Sequence, residues 1–233
     1  DHEPERVEAA CRQTLTDLQI EYLDLYLIHW PMSFPHGGDL WPFEEDNDKK
    51  LKLINVPIID TWKAMEKLVE KGLVKHIGVS NFTIELLEKL LCADITVKPY
   101  ANQVEQQLFL QEEALIEFCE KRDIIFEGYR TLGGPVSSRD PNNPVVLENP
   151  VLLEVARETG KTPAQVELKF LLSLGKNSVV LAKSSNSDRI RQNIDLDFEL
   201  SDDQIQRLKS QNRCIRFTKT LDRWGVDIFC DHW

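Results

Sequence analysis

The chain has no apolar run long enough to cross a bilayer, which needs about 20 residues. Its opening, Asp1-His2-Glu3-Pro4-Glu5-Arg6, is acidic and polar and does not read as a secretory signal. Cysteine is scarce: five residues (Cys11, Cys92, Cys119, Cys214, Cys230) with no C-x-x-C spacing. An odd, unpatterned set suits reduced thiols in the cytosol, and Cys11, Cys92 and Cys119 read as core or helix-face packing. Positive charge is in deficit, with 28 Lys and Arg against 39 Asp and Glu and a net charge of −11, which argues against a nucleic-acid surface. An anionic ligand is still compatible with it, because a local cationic pocket can oppose the global field. No element pairs His29, His36, His76 or His232 with a second Cys or His, so no metal site is predicted. No strand is followed by G-x-G-x-x-G; the first runs into His29-Trp30-Pro31 instead, so an open dinucleotide-binding sheet of that type is disfavoured.

What the chain does have is a set of five short apolar runs, each ending in a polar or aromatic residue. Residues 23–28 lead to His29, 75–79 to Ser80 and Asn81, 100–102 to Gln103, 124–128 to Tyr129, and 178–182 to Lys183. Helix-like segments separate them. Strands alternating with helices predict parallel βαβ units. In a parallel barrel the carboxyl ends of the strands share one face, and active sites sit there.

Between the runs, apolar positions Val7, Ala10, Cys11, Leu15 and Leu18 recur at three- and four-residue steps and predict a helix over 4–18. Further helices are predicted over 58–71 with Gly72 as its cap, 83–91, 112–122, 151–159, 163–174 with Thr162 as N-cap, from 187, and over 202–210 with Ser201 as cap. Residues 31–57 and 133–150 read as long loops. The first leaves a strand end and is read as a flap over the site, or as a tolerated surface insertion. Glu66, Lys67, Glu70 and Lys71 read as solvated helix surface. The tail 212–233 shows no period but carries Phe217, Trp224, Phe229 and Trp233, as pocket or packing aromatics. No linker divides the chain, so 1–233 reads as a single domain.

The motifs YLDLYLIHWP at 22–31, GLVKHIGVSNF at 72–82, NQVE at 102–105, KTPAQV at 161–166 and KSSNSDRIRQN at 183–193 together resemble the aldo-keto reductase family. The flavour is closest to its aldose, aldehyde and xylose reductases, and the likeness runs from Asp1 to about Phe217. It implies an α/β fold, the (β/α)8 TIM barrel of that family, and NADPH-dependent reduction of aldehydes or ketones to alcohols. It also implies a cytoplasmic protein, monomeric when full length, with a small carbonyl compound as substrate and no membrane or nucleic-acid partner. In that family a tyrosine gives the proton, helped by a lysine and an aspartate, and a histidine orients the carbonyl. Only the histidine, His29, is visible. The other three belong on strands that the resemblance puts ahead of Asp1, so the chain is expected to cover about the last five βα units.

The resemblance assigns the remaining roles residue by residue. Trp30 lines the substrate pocket, or packs in the core. Ser80, Asn81 and Gln103 hold the nicotinamide carboxamide, for which Asn and Gln supply both donors and acceptors; Ser80-Asn81 would equally suit a helix cap. Tyr129 stacks on the nicotinamide ring. Leu132 with Gly133 and Gly134 forms the loop over the pyrophosphate. Lys183, Ser184, Ser185 and Arg189 bind the adenosine 2′-phosphate, and Gln192 and Asn193 face the adenine. The chain departs from the family at Gln107-Leu108 (usually His-Pro), at Ala182 (usually Pro), and at Arg130-Thr131, where a Ser-Pro pair is common; Arg130 could reach the pyrophosphate or crowd the site. A barrel that keeps the cofactor pocket but has lost turnover, acting as a regulatory subunit, is the competing reading.

Overall fold

The computed structural model describes residues 1–37, 42–44, 47–134, 140–221 and 225–229. Contacts gather them into two units. One holds Asp1–Asn102 and the chain from Lys219 onward; the other holds Gln103–Thr218.

In the first unit α1 (Pro4–Leu18) has the bounds its periodicity predicts and buries Val7, Cys11 and Leu15. Pro in its first turn costs nothing, since the missing N–H has no intrahelical partner there. Strand β1 (Leu23–Ile28) follows, then a short antiparallel hairpin, β2 (Phe43–Glu44) with β3 (Asn47–Leu51). The hairpin corrects the reading of 31–57 as an unstructured loop. Leu51 at its end is buried with Trp30, Met32 and Ile228, so this stretch carries a small apolar cluster of its own. Residues 38–41 and 45–46 of that stretch, and Trp224 and Trp233 of the tail, lie outside the described residues.

Helix α2 (Ile58–Glu70) ends at Gly72, which takes a left-handed φ of 67°. The helix buries Trp62, Met65, Glu66 and Leu68 on one face. Glu66 is therefore not surface: it is 6% exposed, and one carboxylate oxygen accepts the backbone N–H groups of Thr96 (2.6 Å) and Val97 (2.7 Å). Positions 62, 65 and 66 are i, i+3 and i+4 neighbours, so the charge shares the core-facing stripe with Trp62. The Trp62 indole N–H closes the same loop by donating to the Val97 carbonyl at 2.9 Å. Strand β4 (Val74–Ser80) pairs in parallel with β1, Leu23 opposite Val74 and Ile28 opposite Val79. Helix α3 (Ile84–Leu91) is capped by Thr83, not by Ser80-Asn81, which frees those two from capping. Cys92 ends that helix and is exposed, whereas Cys11 is buried as expected. Strand β5 (Ala101–Glu105) begins here and ends in the second unit.

In the second unit α4 (Glu113–Glu120) precedes β6 (Ile125–Tyr129). The Gln106 N–H, just after β5, donates to the Tyr129 carbonyl at 2.9 Å. Beyond a 3-10 turn (Val146–Glu148) come α5 (Pro150–Thr159), α6 (Pro163–Ser173), β7 (Ser178–Val180), α7 (Ser187–Ile194) and α8 (Asp202–Lys209). Strands β6 and β7 are parallel, with Phe126 opposite Ser178. Thr162 and Ser201 both form full capping boxes, with Gln165 and Gln204 as the reciprocal partners. The core is Leu108, Phe109, Leu152, Val166, Phe170 and Leu171 with their neighbours. Full burial of each such side chain contributes about 1.5–3 kcal/mol.

One ionisable group is enclosed in that core. Glu167 on α6 is 0% exposed; its Oε1 accepts the Leu108 N–H at 2.8 Å, and its Oε2 meets no partner among the described residues. Burial pushes its pKa up to about 8. The folded chain therefore holds a proton that the unfolded chain releases near pH 4.5, so stability falls as pH rises between those values. Glu167→Gln is expected to flatten this decline. Denaturant midpoints measured at several pH values between about 5 and about 8 check it, because each full proton of linkage is worth about 1.4 kcal/mol per pH unit. Parallel pH profiles for the two proteins would refute the assignment.

Candidate active and cofactor site

Four of the five residues singled out at strand ends stand at or just beyond a strand's carboxyl end; Gln103 does not, because β5 runs two residues further, to Glu105. His29 follows β1, Ser80 closes β4, Gln103 lies in β5, Tyr129 closes β6 and Lys183 follows β7.

In the first unit Asn81 ties the ends of β1 and β4 together. It has a left-handed φ of 62°, and its side-chain amide donates to the His29 carbonyl (2.9 Å) and to Ser80 Oγ (3.1 Å). Ser80 and Asn81 are both buried, so this polar knot is shielded and rigid. It fixes the backbone from which the His29 ring projects. That ring stacks on Trp30, with centroids 5.5 Å apart and an interplanar angle of 23°. Trp30 is buried against Met32, Leu51 and Ile228, so the structure gives it a packing role beside its contact with the imidazole. The ring of His29 remains open to solvent on one side, yet partial desolvation lowers its pKa from 6.5. At neutral pH the imidazole is thus uncharged and offers one N–H donor and one acceptor.

No tyrosine of this unit stands with His29. Tyr22 accepts a hydrogen bond from Lys75 Nζ (3.1 Å), and that ammonium also pairs with Asp24 (2.7 Å). This exposed Tyr-Lys-Asp group sits at the start of β1, and His29 follows its end. At about 3.3 Å per residue the two are roughly 20 Å apart. Tyr26 bonds to Thr14, and the ring of Tyr100 stacks on His76 at 4.0 Å.

In the second unit Gln103 Nε2 donates to Glu127 Oε2 at 2.9 Å, a partner that the sequence reading missed. A cavity of about 490 Å3 opens at the carboxyl ends of β6 and β7. Tyr129 and Arg130 line it from β6, Ala182 and Lys183 from beyond β7, and Ile190 and Asn193 from α7. Leu132, Ser184, Ser185, Arg189 and Gln192 are not among its lining residues: Leu132 lies in the turn after β6, Ser184 and Ser185 in the loop before α7, and Arg189 and Gln192 on α7. Burial pushes the Tyr129 phenol up to about 12, so it stays protonated at neutral pH, and its hydroxyl lies 3.4 Å from Thr218 Oγ1. The loop before α7 is preset. Asn186 N–H donates to Ser184 Oγ (3.1 Å), and the Asn186 side chain caps the helix by accepting the Arg189 N–H (3.0 Å). Asp188, a negative charge in an otherwise cationic segment, is taken up by Arg191 at 2.9 Å. Among the described residues Lys183, Arg189 and Arg130 meet no carboxylate. Arg130 and Lys183 thus bring two cations to the lining of one cavity in a chain with a net charge of −11. Among the described residues no group of acidic, His or Cys side chains could hold a metal ion, and no helix is long and apolar enough to cross a membrane.

A sequence model of the aldo/keto reductase family matches residues 1–213. The chain belongs to the aldo-keto reductase family. Human aldo-keto reductase family 1 member C2 is 41% identical over 225 residues, covering 95% of this chain and 68% of that protein. Bovine prostaglandin F synthase 1 is 41% identical over 219 residues, 92% of this chain and 67% of that one. The solved aldose reductase of Schistosoma japonicum superposes with a TM-score of 0.88 at 36% identity, over 100% of this chain and 73% of that one. That of Giardia lamblia gives 0.90 at 37%, over 99% and 75%. The fold class is therefore the α/β TIM barrel of this family. The reading of the chain as a barrel short of its first strands gains no support from the family match, which spans nearly the whole chain. Family membership makes the protein an oxidoreductase of the carbonyl-reducing kind.

The lowered His29 pKa is open to direct measurement. Ring proton shifts of His29 followed by NMR from about pH 4 to about pH 9 are expected to give a midpoint below the ordinary histidine value of about 6.5. His2, half-buried and so partly desolvated, is expected to titrate lower still, at about 4. A His29 midpoint at or above 6.5 would contradict the lowered pKa.

Proposed function

We propose that this aldo-keto reductase reduces aldehydes or ketones with NADPH as hydride donor. The observation that carries the reading is the cavity of the second unit. It brings together an aromatic residue, Tyr129, and two cations that meet no carboxylate among the described residues, Lys183 and Arg130; Arg189 lies on α7, which contributes Ile190 and Asn193 to the same lining. A dinucleotide needs both: a flat surface for its ring and cations for its phosphates. Lys183 and Arg189 are assigned to the 2′-phosphate, with Ser184 and Ser185 as hydroxyl donors and the α7 N-terminus adding a favourable dipole. Gln192 and Asn193 are assigned to the adenine, and Leu132 to the loop over the phosphates. Ser80, Asn81 and Gln103 are assigned to the carboxamide.

When bound, the cofactor supplies the hydride. The chain's own contribution to the carbonyl is His29. A neutral imidazole N–H donating to the carbonyl oxygen orients it and polarises the C=O bond, and the charge that develops on oxygen strengthens that bond in the transition state. A protonated histidine would bind competing anions and would need stronger desolvation; the lowered pKa avoids both. Trp30, packed against the ring, holds the imidazole plane.

A second reading is favoured by a specific observation: the tyrosines here are engaged elsewhere, and none is assigned as proton donor. Nucleotide binding without turnover would then be the activity of this chain, as in a regulatory subunit. Aldehyde-dependent oxidation of NADPH separates the two.

The cofactor assignment is tested by binding. Lys183→Ala and Arg189→Ala are each expected to weaken NADPH by about tenfold or more and NADH far less, since a charge-assisted bond is worth about 1.5–3 kcal/mol. Fluorescence titration of both nucleotides gives the comparison. Equal losses for the two would place the cations elsewhere on the ligand.

A further inference from the structure

We infer that Arg130, held in place by Thr218, anchors the diphosphate of the nucleotide and so supports NADH as well as NADPH; the inference rests on the nucleotide reading above. Arg130 is the residue at which the chain departs from its family's small Ser, and its geometry is unusual in three respects.

First, its backbone is left-handed, with φ 58°, a conformation uncommon for a side chain of this size and often retained at binding sites. The turn is locked from both sides. Gly133 N–H donates to the Arg130 carbonyl at 2.7 Å, and Thr131 Oγ1 donates to the Leu181 carbonyl at 3.0 Å. Second, the guanidinium lies over Gly134. A Cβ there would come within 2.7 Å of Arg130 Nε and 2.9 Å of Nη2, so the missing side chain is what gives the group its place. Third, the group that orients it is neutral: Nη1 donates to Thr218 Oγ1 at 3.2 Å. A neutral acceptor fixes the fork without spending its charge, and donors of the guanidinium remain for an anion.

Thr218 is itself fixed. Both oxygens of the buried Glu105 carboxylate accept backbone N–H groups of the tail, from Phe217 at 2.6 Å and Thr218 at 2.7 Å. Arg216 is paired with Glu112 at 2.5 Å, so that neighbouring cation is already neutralised. Arg130 therefore stands as a charged, oriented group that meets no carboxylate among the described residues and lines the cavity that Lys183 also lines.

Ligand chemistry decides which anion it takes. Along a dinucleotide the diphosphate lies between the nicotinamide riboside and the 2′-phosphorylated ribose. Arg130 directly follows in the chain Tyr129, assigned to the ring, and shares the cavity lining with Lys183, which with Arg189 is assigned to the 2′-phosphate. The charge between those two assignments is the diphosphate. An anchor there acts on every dinucleotide alike, so it raises affinity for NADH, which the 2′-phosphate cations cannot do. Thr218 is a positioning residue; it acts through Arg130.

Dissociation constants for NADPH, NADH and ADP-ribose, with displacement titration of adenosine 2′-monophosphate, test this on the purified protein. Arg130→Ser is expected to weaken the three diphosphate ligands by about tenfold or more and to leave adenosine 2′-monophosphate within about twofold. Arg130→Lys, which keeps the charge and loses the fork, is expected to fall between. Thr218→Val is expected to repeat the Ser pattern at smaller size. The inference is overturned if Arg130→Ser binds all four ligands as the parent does, or if it loses adenosine 2′-monophosphate as strongly as NADPH. A global loss in Arg130→Ser that Arg130→Lys does not share, with the near-ultraviolet dichroism of the Ser variant unlike the parent's, counts as misfolding. The Lys and Thr218 variants then decide: selective weakening of the diphosphate ligands supports the anchor, and parent-like binding overturns it. If the parent protein binds none of the nucleotides, the cofactor reading itself fails; if it binds them and the variants do not differ, only the role of Arg130 fails.

Discussion

The second unit depends on a buried carboxylate that is paired with backbone N–H groups and, among the described residues, with no cation. Glu105, at the end of β5, is fully buried and spends both oxygens on two successive backbone N–H groups of the tail, Phe217 and Thr218. A buried carboxylate without such donors would be driven to neutrality, and a buried tail backbone without acceptors would be expelled to water. Each solves the other's problem. The tail is bound further by Gln107, whose amide donates to the Ile215 carbonyl at 2.9 Å, and by Phe109, whose carbonyl accepts from Arg213 and Ile215. Once 213–218 is fixed in this way, Thr218 reaches Tyr129 and Arg130, and the cavity has one defined wall.

Charge in this molecule is distributed to the same end. Carboxylates outnumber cations, and many surface cations sit in exposed pairs worth little in stability, such as Lys89 with Glu85 or Lys121 with Glu117. Two cations, Arg130 and Lys183, line the cavity at the ends of β6 and β7. There Asp188 turns to Arg191, Arg216 is matched by Glu112, and Lys183, Arg189 and Arg130 are left with positive charge to offer. In the first unit the logic is reversed: His29 is kept neutral by partial desolvation, and its orientation comes from stacking and from the Asn81 bridge. A hydrogen-bond donor for a carbonyl and a cationic seat for phosphates are different electrostatic tasks, and each is met by its local surroundings.

Much of this was legible in the sequence where the physics is local. The 3.6-residue period of Val7, Cys11 and Leu15 located α1 to the residue, and Thr162 and Ser201 announced their helices through cap chemistry alone. The strand-end residues followed from runs of apolar residues that stop at a polar one. What escaped was non-local or charged. The hairpin of β2 and β3 carries Glu44, Asn47, Asp48 and Lys50, with no apolar alternation to reveal it, and only Leu51 marks its buried end. Glu66 looked like surface because carboxylates usually are, although its position beside Trp62 and Met65 on the helix placed it inside. Glu105 and Thr218 are 113 residues apart, and no pattern in either segment points to the other. The Arg130-Thr131 departure was visible, but whether the arginine obstructs or serves the site depends on Gly134 and Thr218, which only the fold brings to it.

The central claim is that the carboxyl ends of β6 and β7, with the α7 segment, form a nucleotide seat. Backbone hydrogen–deuterium exchange, with and without saturating NADPH, reads that seat directly. The account predicts slowed exchange in residues 128–134 and 181–193 on addition of NADPH. Unchanged exchange in both segments under saturation, or protection confined to other parts of the chain, would contradict it.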